Sequence, residues 1–492
     1  MIDAAWVEAF TAEVAADREV FGVPGAAVAL VEGGRVVATR GLGVRDLATG
    51  APVTPGTRFR IGSVTKSLTV ALLATLVDDG TLRWDDRVAD LLPGFRAPTP
   101  ELTGSLRLRD LLGMGSGIAE AVGAGVDTVE FLMSAGGLTA TDVVRSAAHL
   151  PVIGEPGSVF SYNNTLVAVA AWAGVAAAGW EGAPAEDLFA AQVRARVLEP
   201  AGMLGAGIAD DPATLGPDVA TGHGRDVAGR IGPTPCIAID GVGPAGNGAA
   251  SAADLGHWVA VQLGEGVAPG GRRVVSAAQV AAWQQPGIAI PRDAFGDPEL
   301  AGDAVARHYA MGWTVDTFAD GRRMVGHGGA IDGFATYVGY VPEAGVGLAV
   351  VANLEPGAGG SGFAGSAASR FLARACGLDR ELPARLAAAH AASTAALGER
   401  AVGLRPATPA EAEGRLGLYE LGFRLRWDDA AGLRLEHDIR SMTLSVGPDG
   451  AFVVSDGPGA VLGRTVRFAR LPDRAPTMEI EGFVPVRWLT AG

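Results

Sequence analysis

From Gly414 to the end of the 492-residue chain, apolar and polar side chains alternate in short runs: FRLRW, LRLEH, MTLSV, AFVVS, VRFAR and TMEIEGF, with Asp449-Gly450 as a turn between two of them. A period of two in runs this short fits an antiparallel sheet with one buried face, so residues 413–492 are expected to form a small β-domain of their own. Residues 379–412 are Ala- and Glu-rich and punctuated by Pro, which predicts a helical linker. Residues 1–378 then form the larger unit. Its first twenty residues read as an amphipathic helix. In AAVALVEGGRVVAT (26–39) two apolar runs flank Gly33-Gly34, a hairpin signal. Val64, Leu68, Leu72, Leu73, Leu76 and Val77 recur at helical spacing until Gly80. Residues from roughly 84 to 250 are helical and loop-rich, an all-α subdomain, and 310–354 return to strands with two hairpins.

Composition removes several classes of function. Hydrophobic residues make up 48%, enough for a core, and the net charge is −15 with no basic stripe. That argues against nucleic acid and anionic membrane surfaces as partners. Cys236 and Cys376 are the only cysteines, and no CxxC or HExxH occurs, so no disulfide scaffold, zinc motif, metal or cofactor is expected. The N-terminus has neither a basic start nor an apolar core, which predicts a cytoplasmic location. Residues 156–180 are uncharged, but their apolar part of about 16 residues is short of the roughly 20 that span a bilayer. They read as a buried Ala-rich helix.

Of 39 basic residues, 38 are arginines; the one lysine is Lys66, in IGSVTKSLTV. Arginine cannot act as a base, whereas a lysine amine shifts readily when buried. Lys66 follows Ser63 by three residues at a helix start, so both share one helix face. A serine with a base one turn away is an activated nucleophile. The bare pattern also fits an N-capping serine and a surface lysine.

Two further segments carry chemistry. In FSYNNT, Tyr162 and Asn164 precede the Ala-rich helix; a phenol near an amine can relay protons, and Asn164 can hold a substrate amide. A packed ring and a turn-closing Asn is the plainer account. In VGHGGAIDGF, His327 precedes Gly328, Gly329 and Ala330. Glycines let a peptide approach a strand edge, where a backbone N–H can meet an oxyanion, and His327 is a second titrating group. An ordinary hairpin with an incidental His is the alternative. A GxGxxG match at 241–246, GVGPAG, lacks the surrounding βαβ repeat and the acidic residue of a dinucleotide site.

Ser-x-x-Lys, Tyr-x-Asn about 100 residues on and His-Gly-Gly further along resemble, in order and spacing, the serine β-lactamase and penicillin-binding-protein superfamily. The branch is that of class C β-lactamases, D-amino-acid peptidases and amidases, and related esterases. RDLLGMGSGI, EPGSVFSYNN, PAGNGAASAADLGHW and GVGLAVVANL add secondary matches, and the resemblance runs from about residue 20 to 375. It implies an α/β β-lactamase-like fold, an antiparallel sheet flanked by helices plus the all-α subdomain, with a lipocalin-like antiparallel barrel at the C-terminus. It implies Ser63 as the acylated nucleophile, Lys66 as its base, Tyr162 as proton shuttle with Asn164 beside it, and the N–H groups of Ser63 and Ala330 as the oxyanion hole. His327 stands where many relatives have Lys, which puts recognition of a free substrate carboxylate in question. Gly113-Met114-Gly115 replaces the usual Thr-His-Thr, with a supporting contact expected to be lost.

The single β-domain and the high-GC composition are similar to penicillin-binding-protein-type thioesterases, which cyclise nonribosomal peptides. The first expectation is therefore such a cyclase, acting on a peptidyl group with a D-residue at its C-terminus, with a peptidyl carrier protein as a further partner. The alternatives are a D-stereospecific peptidase, amidase or esterase, and a catalytically silent binding protein on the same scaffold.

Overall fold

The computed structural model describes residues 1–120, 138–236, 238–294, 302–419, 423–437, 440–457, 462–469, 477–481 and 486–491. Arg470, Gly482 and Phe483, which fall in stretches read above as strands, lie outside the described residues.

An eight-stranded antiparallel sheet organises the larger unit. Its strands are β1 (Gly25–Glu32), β2 (Arg35–Gly43), β3 (Ile288–Ala289), β4 (Ala306–Ala310), β5 (Trp313–Thr317), β6 (Arg323–Ile331), β7 (Phe334–Val341) and β8 (Val346–Ala352). The spatial order is β2-β1-β8-β7-β6-β5-β4-β3. Gly33 and Gly34, both at positive φ, close the β1–β2 hairpin, as the sequence predicts. β1 reads GAAVALVE, a continuous apolar run, because it is buried on both faces. Ala27, Ala29 and Val31 join one core, and Ala26, Val28 and Leu30 join the other. On that second face lie α1 (Ala4–Phe21) and α5 (Gly360–Cys376), where Trp6, Phe10 and Phe371 pack their rings together.

The first core is built around α2 (Thr65–Asp78), buried on every side from Thr65 to Leu76. Against it lie α3 (Asn164–Ala177), the Ala-rich helix expected from 156–180, and α4 (Ala252–Leu263), capped by Ser251 with Asp254. Gly174 lets α2 and α3 touch: a Cβ there would lie 2.2 Å from a Leu73 methyl. The stretch 84–250 carries short helices and, in addition, the strands Gly207–Ile208, His223–Arg225, Ile231–Pro233 and Gly248–Ser251. A three-stranded sheet of Arg58–Arg60, Gly248–Ser251 and Gly207–Ile208 runs directly into the Ser63 turn.

The 20-residue helix α6 (Leu382–Ala401) leads to the C-terminal strands. Eight of them, from Gly417–Tyr419 to Val486–Ala491, pair in sequence order. The last returns to the first, so the ring closes as an up-and-down barrel. Leu425, Leu433, Leu435, Leu444, Val454 and Met478 fill it. Gly450, at positive φ, makes the turn expected at Asp449-Gly450. No helix among the described residues is long and apolar enough to cross a membrane.

Candidate active site

Ser63 sits half-buried in a single tight turn, Gly62–Val64, that feeds α2. The turn is pinned from two sides. Ile61 N–H donates to Gly248 O at 2.9 Å, and Thr65 Oγ1 donates to Gly62 O at 2.6 Å while accepting from Gly248 N–H at 2.9 Å. Two glycines let β6 lie flat against it. Gly62 has φ +50°, and a Cβ there would lie 2.7 Å from Ala330 N; a Cβ on Gly329 would lie 2.0 Å from Ile61 O. No side chain fits at either place.

The free edge of β6 faces this turn. The β6–β7 hairpin closes at Ile331↔Phe334, so 327, 329 and 331 direct their backbone groups at β7 and 328 and 330 direct theirs away from it. β5 pairs with β6 only as far as Gly326. Gly328 and Ala330 are exposed while His327 and Gly329 are buried, so this edge is open to an extended peptide.

Lys66, fully buried, directs Nζ at three oxygens: Ser63 Oγ at 2.9 Å, Asn164 Oδ1 at 2.5 Å and Ala245 O at 2.9 Å. Burial lowers its amine to about 7, against the pull of the Glu120 carboxylate. The Tyr162 ring lies 4.6 Å from Nζ, and its hydroxyl is hydrogen-bonded to Ser63. Burial raises the phenol above its usual range. Asn164 is the first residue of α3, so the Tyr-x-Asn spacing delivers both side chains from one helix start.

His327 is held neutral. Burial and the Lys66 charge bring its imidazole down to about 3, against a hydrogen bond to Gly328. Nδ1–H donates to Gly328 O at 2.5 Å, and Nε2 accepts from Tyr309 Oη at 3.0 Å. The tautomer follows, because a backbone carbonyl can only accept. Tyr162, Tyr309 and His327 form a ring cluster with centroids 5.7–6.1 Å apart.

The structure therefore brings Ser63, Lys66, Tyr162, Asn164 and His327 together, with Gly328, Gly329 and Ala330 along the adjoining edge. Three participants carry no sequence signal. Ala245 contributes a backbone carbonyl from within the GVGPAG stretch, so that stretch buttresses the lysine. Tyr309 reaches His327 from β4. Glu120, buried, accepts from Asn164 N–H, from Thr165 N–H at 2.7 Å and from Thr165 Oγ1 at 2.8 Å. At Met114, within the stretch that departs from Thr-His-Thr, the carbonyl accepts from Ser161 N–H and the sulfur from Asn163 N–H, at 3.0 and 3.1 Å. Among the described residues no cluster of His, Cys, Asp and Glu could hold a metal.

A β-lactamase-like α/β fold with a small C-terminal antiparallel barrel and such a serine–lysine–tyrosine centre defines a class, that of the serine β-lactamase and penicillin-binding-protein-like hydrolases. The family model described as Beta-lactamase matches residues 10–368, and the chain belongs to that family. An unguisins hydrolase of Aspergillus campestris is 28% identical over 67% of this chain, which spans 58% of that protein's length. A D-aminopeptidase of Cereibacter sphaeroides is 27% identical over 90% of this chain and 73% of its own. The octameric penicillin-binding protein homologue from Pyrococcus abyssi superposes with a TM-score of 0.62 at 22% identity, over 98% of this chain and all of that one.

Proposed function

We propose that this protein is a serine acyltransferase that offloads and cyclises a nonribosomal peptide with a D-residue at its C-terminus. The observation that carries the acyl-enzyme chemistry is the hydrogen-bond set of Lys66. A neutral amine has two N–H groups and one lone pair. Asn164 Oδ1 and Ala245 O take the two N–H groups, which aims the lone pair at the Ser63 hydroxyl.

In this reading Ser63 Oγ attacks the carbonyl of a carrier-bound peptidyl thioester while Lys66 takes its proton. The negative charge that develops on the carbonyl oxygen is met by the N–H groups of Ser63 and Ala330. The C–S bond breaks, the thiol leaves with a proton relayed through Tyr162, and the peptide is left as a Ser63 ester. The peptide's own N-terminal amine then attacks that ester. Its proton passes through Tyr162 and Lys66 back to Ser63 Oγ, releasing the ring. Gly328 and Ala330 pair with the extended peptide along the β6 edge.

A neutral His327 supports a substrate without a free carboxylate, because no cation stands at that position to bind one. That favours thioester, ester or amide substrates over those of a β-lactamase or carboxypeptidase. Similarity to D-aminopeptidases along most of the chain favours a second reading, a D-stereospecific peptidase or amidase in which water replaces the amine.

Linear peptidyl thioesters with D- or L-C-terminal residues, analysed by mass spectrometry with wild type and Ser63→Ala, separate the two. A Ser63-dependent cyclic product confined to the D-series is expected. Linear acid as the sole product moves the protein to the hydrolase reading.

A further inference from the structure

Asn164 can steer Lys66 only if the start of α3 is itself fixed, and a helix start has unsatisfied N–H groups. Asn163 answers one of them, accepting from Leu166 N–H at 2.8 Å. The next two, on Asn164 and Thr165, both donate to Glu120, and so does the Thr165 hydroxyl. A buried carboxylate of this kind is rare unless something nearby needs its charge. Among the described residues Glu120 makes no ion pair within salt-bridge reach, yet its field and that of Lys66 act on each other directly.

We propose that Glu120 is a positioning residue for Lys66: it clamps the first turn of α3, so that Asn164 Oδ1 fixes the amine, and its carboxylate is the buried countercharge for the proton that Lys66 takes from Ser63. The inference rests on the reading of Lys66 as the base. The proton leaves Ser63 Oγ and arrives on Lys66 Nζ, creating a cation on a fully buried side chain. The other titrating groups around Nζ do not answer that cation. Tyr162 from the loop before α3 and Tyr309 from β4 remain neutral phenols, and His327 from β6 is a neutral imidazole. α3 supplies Asn164, and the 243–246 turn supplies only a carbonyl. Among the described residues, Glu120 is then the one negative group of this constellation. Burial pushes its carboxyl up as it pulls the Lys66 amine down, and each charge opposes the other's shift, so the two titrations are coupled.

Because the chain has a single lysine, ε-carbon-13 lysine labelling gives one NMR signal that reads Lys66 directly. Titration of wild type is expected to give a flattened or two-step curve, the signature of coupling by more than about one pH unit. Glu120→Gln should collapse it to a single step displaced downward by about one unit, since the attractive charge is gone. Glu120→Asp, which keeps the charge, should stay near wild type. The acid limb of Ser63 labelling by a fluorophosphonate should move with the NMR midpoint, and the plateau rate in Glu120→Gln should fall about ten-fold. A merely structural role would lower the melting temperature without moving either midpoint. A single ordinary step in wild type, or midpoints unmoved by Glu120→Gln, overturns the proposal. The wild-type titration decides even if the variant does not fold. Absence of wild-type labelling would instead count against Ser63 as nucleophile, whatever the titration shows.

Discussion

Lys66 Nζ lies 2.9 Å from Ser63 Oγ, with its remaining bonds committed to Asn164 Oδ1 and Ala245 O. The amine cannot turn away from the serine without giving up a buried hydrogen bond. The first prediction follows: Lys66→Arg, which keeps a positive charge, should lower the rate of Ser63 acylation by at least roughly a hundred- to ten-thousand-fold, because guanidinium does not accept a proton. Labelling rates with a fluorophosphonate ester measure this. Acylation within a few-fold of wild type would remove Lys66 from the base role.

The pH profile is the second. Acylation needs the neutral amine, and burial brings Lys66 down to about 7. The rate should therefore rise as pH increases through about 7, over a span broadened by the coupling to Glu120, and level off above it. His327, at about 3, adds no limb in this window, and the raised Tyr162 phenol adds none below its usual range. Stopped-flow ester cleavage between pH 5 and 9 tests the sign. A rate that falls through pH 7 would contradict it.

Tyr162→Phe leaves the ring over Nζ and removes the hydroxyl bound to Ser63. Turnover should drop roughly a hundred- to ten-thousand-fold with KM little changed, as for loss of a proton relay. Steady-state kinetics on one thioester would show it, and an effect on KM alone would assign Tyr162 to binding instead.

Gly329 carries a geometric prediction. Its Cβ would meet Ile61 O at 2.0 Å, so Gly329→Ala must push β6 off the nucleophile turn. A displacement of about 1 Å in a reacting group costs on the order of a hundred-fold in rate. Gly94→Ala, where a Cβ meets nothing within 4 Å, is the control and should be silent.

Several features of this architecture are legible in the residue pattern because they are local. A period of two in short runs gives the barrel, Gly33-Gly34 gives the β1–β2 hairpin, and the three-residue spacing of Ser63 and Lys66 puts both at one helix start. The Tyr-x-Asn and His-Gly-Gly stretches are readable for the same reason. The constellation around Lys66 is not local. Ala245 lies 179 residues away and contributes a carbonyl, which any side chain could accompany. Glu120 lies 44 residues before Asn164, and nothing beside it in sequence distinguishes it from the other acidic residues. Tyr309 reaches His327 because β6 and β4 flank β5 in the sheet, a relationship set by strand order. At Met114 a missing His reads as a lost contact, and only the structure shows its sulfur and carbonyl accepting from Asn163 and Ser161 N–H.

The central claim is that Ser63 carries the acyl group. Intact-protein mass spectrometry after brief exposure to a D-terminated peptidyl thioester, followed by peptide mapping, tests it most directly. The account predicts one added acyl mass on the peptide containing Ser63, absent in Ser63→Ala and Lys66→Arg. Turnover of the thioester by a Ser63→Ala variant, or an acyl group mapped to any other residue, would contradict it.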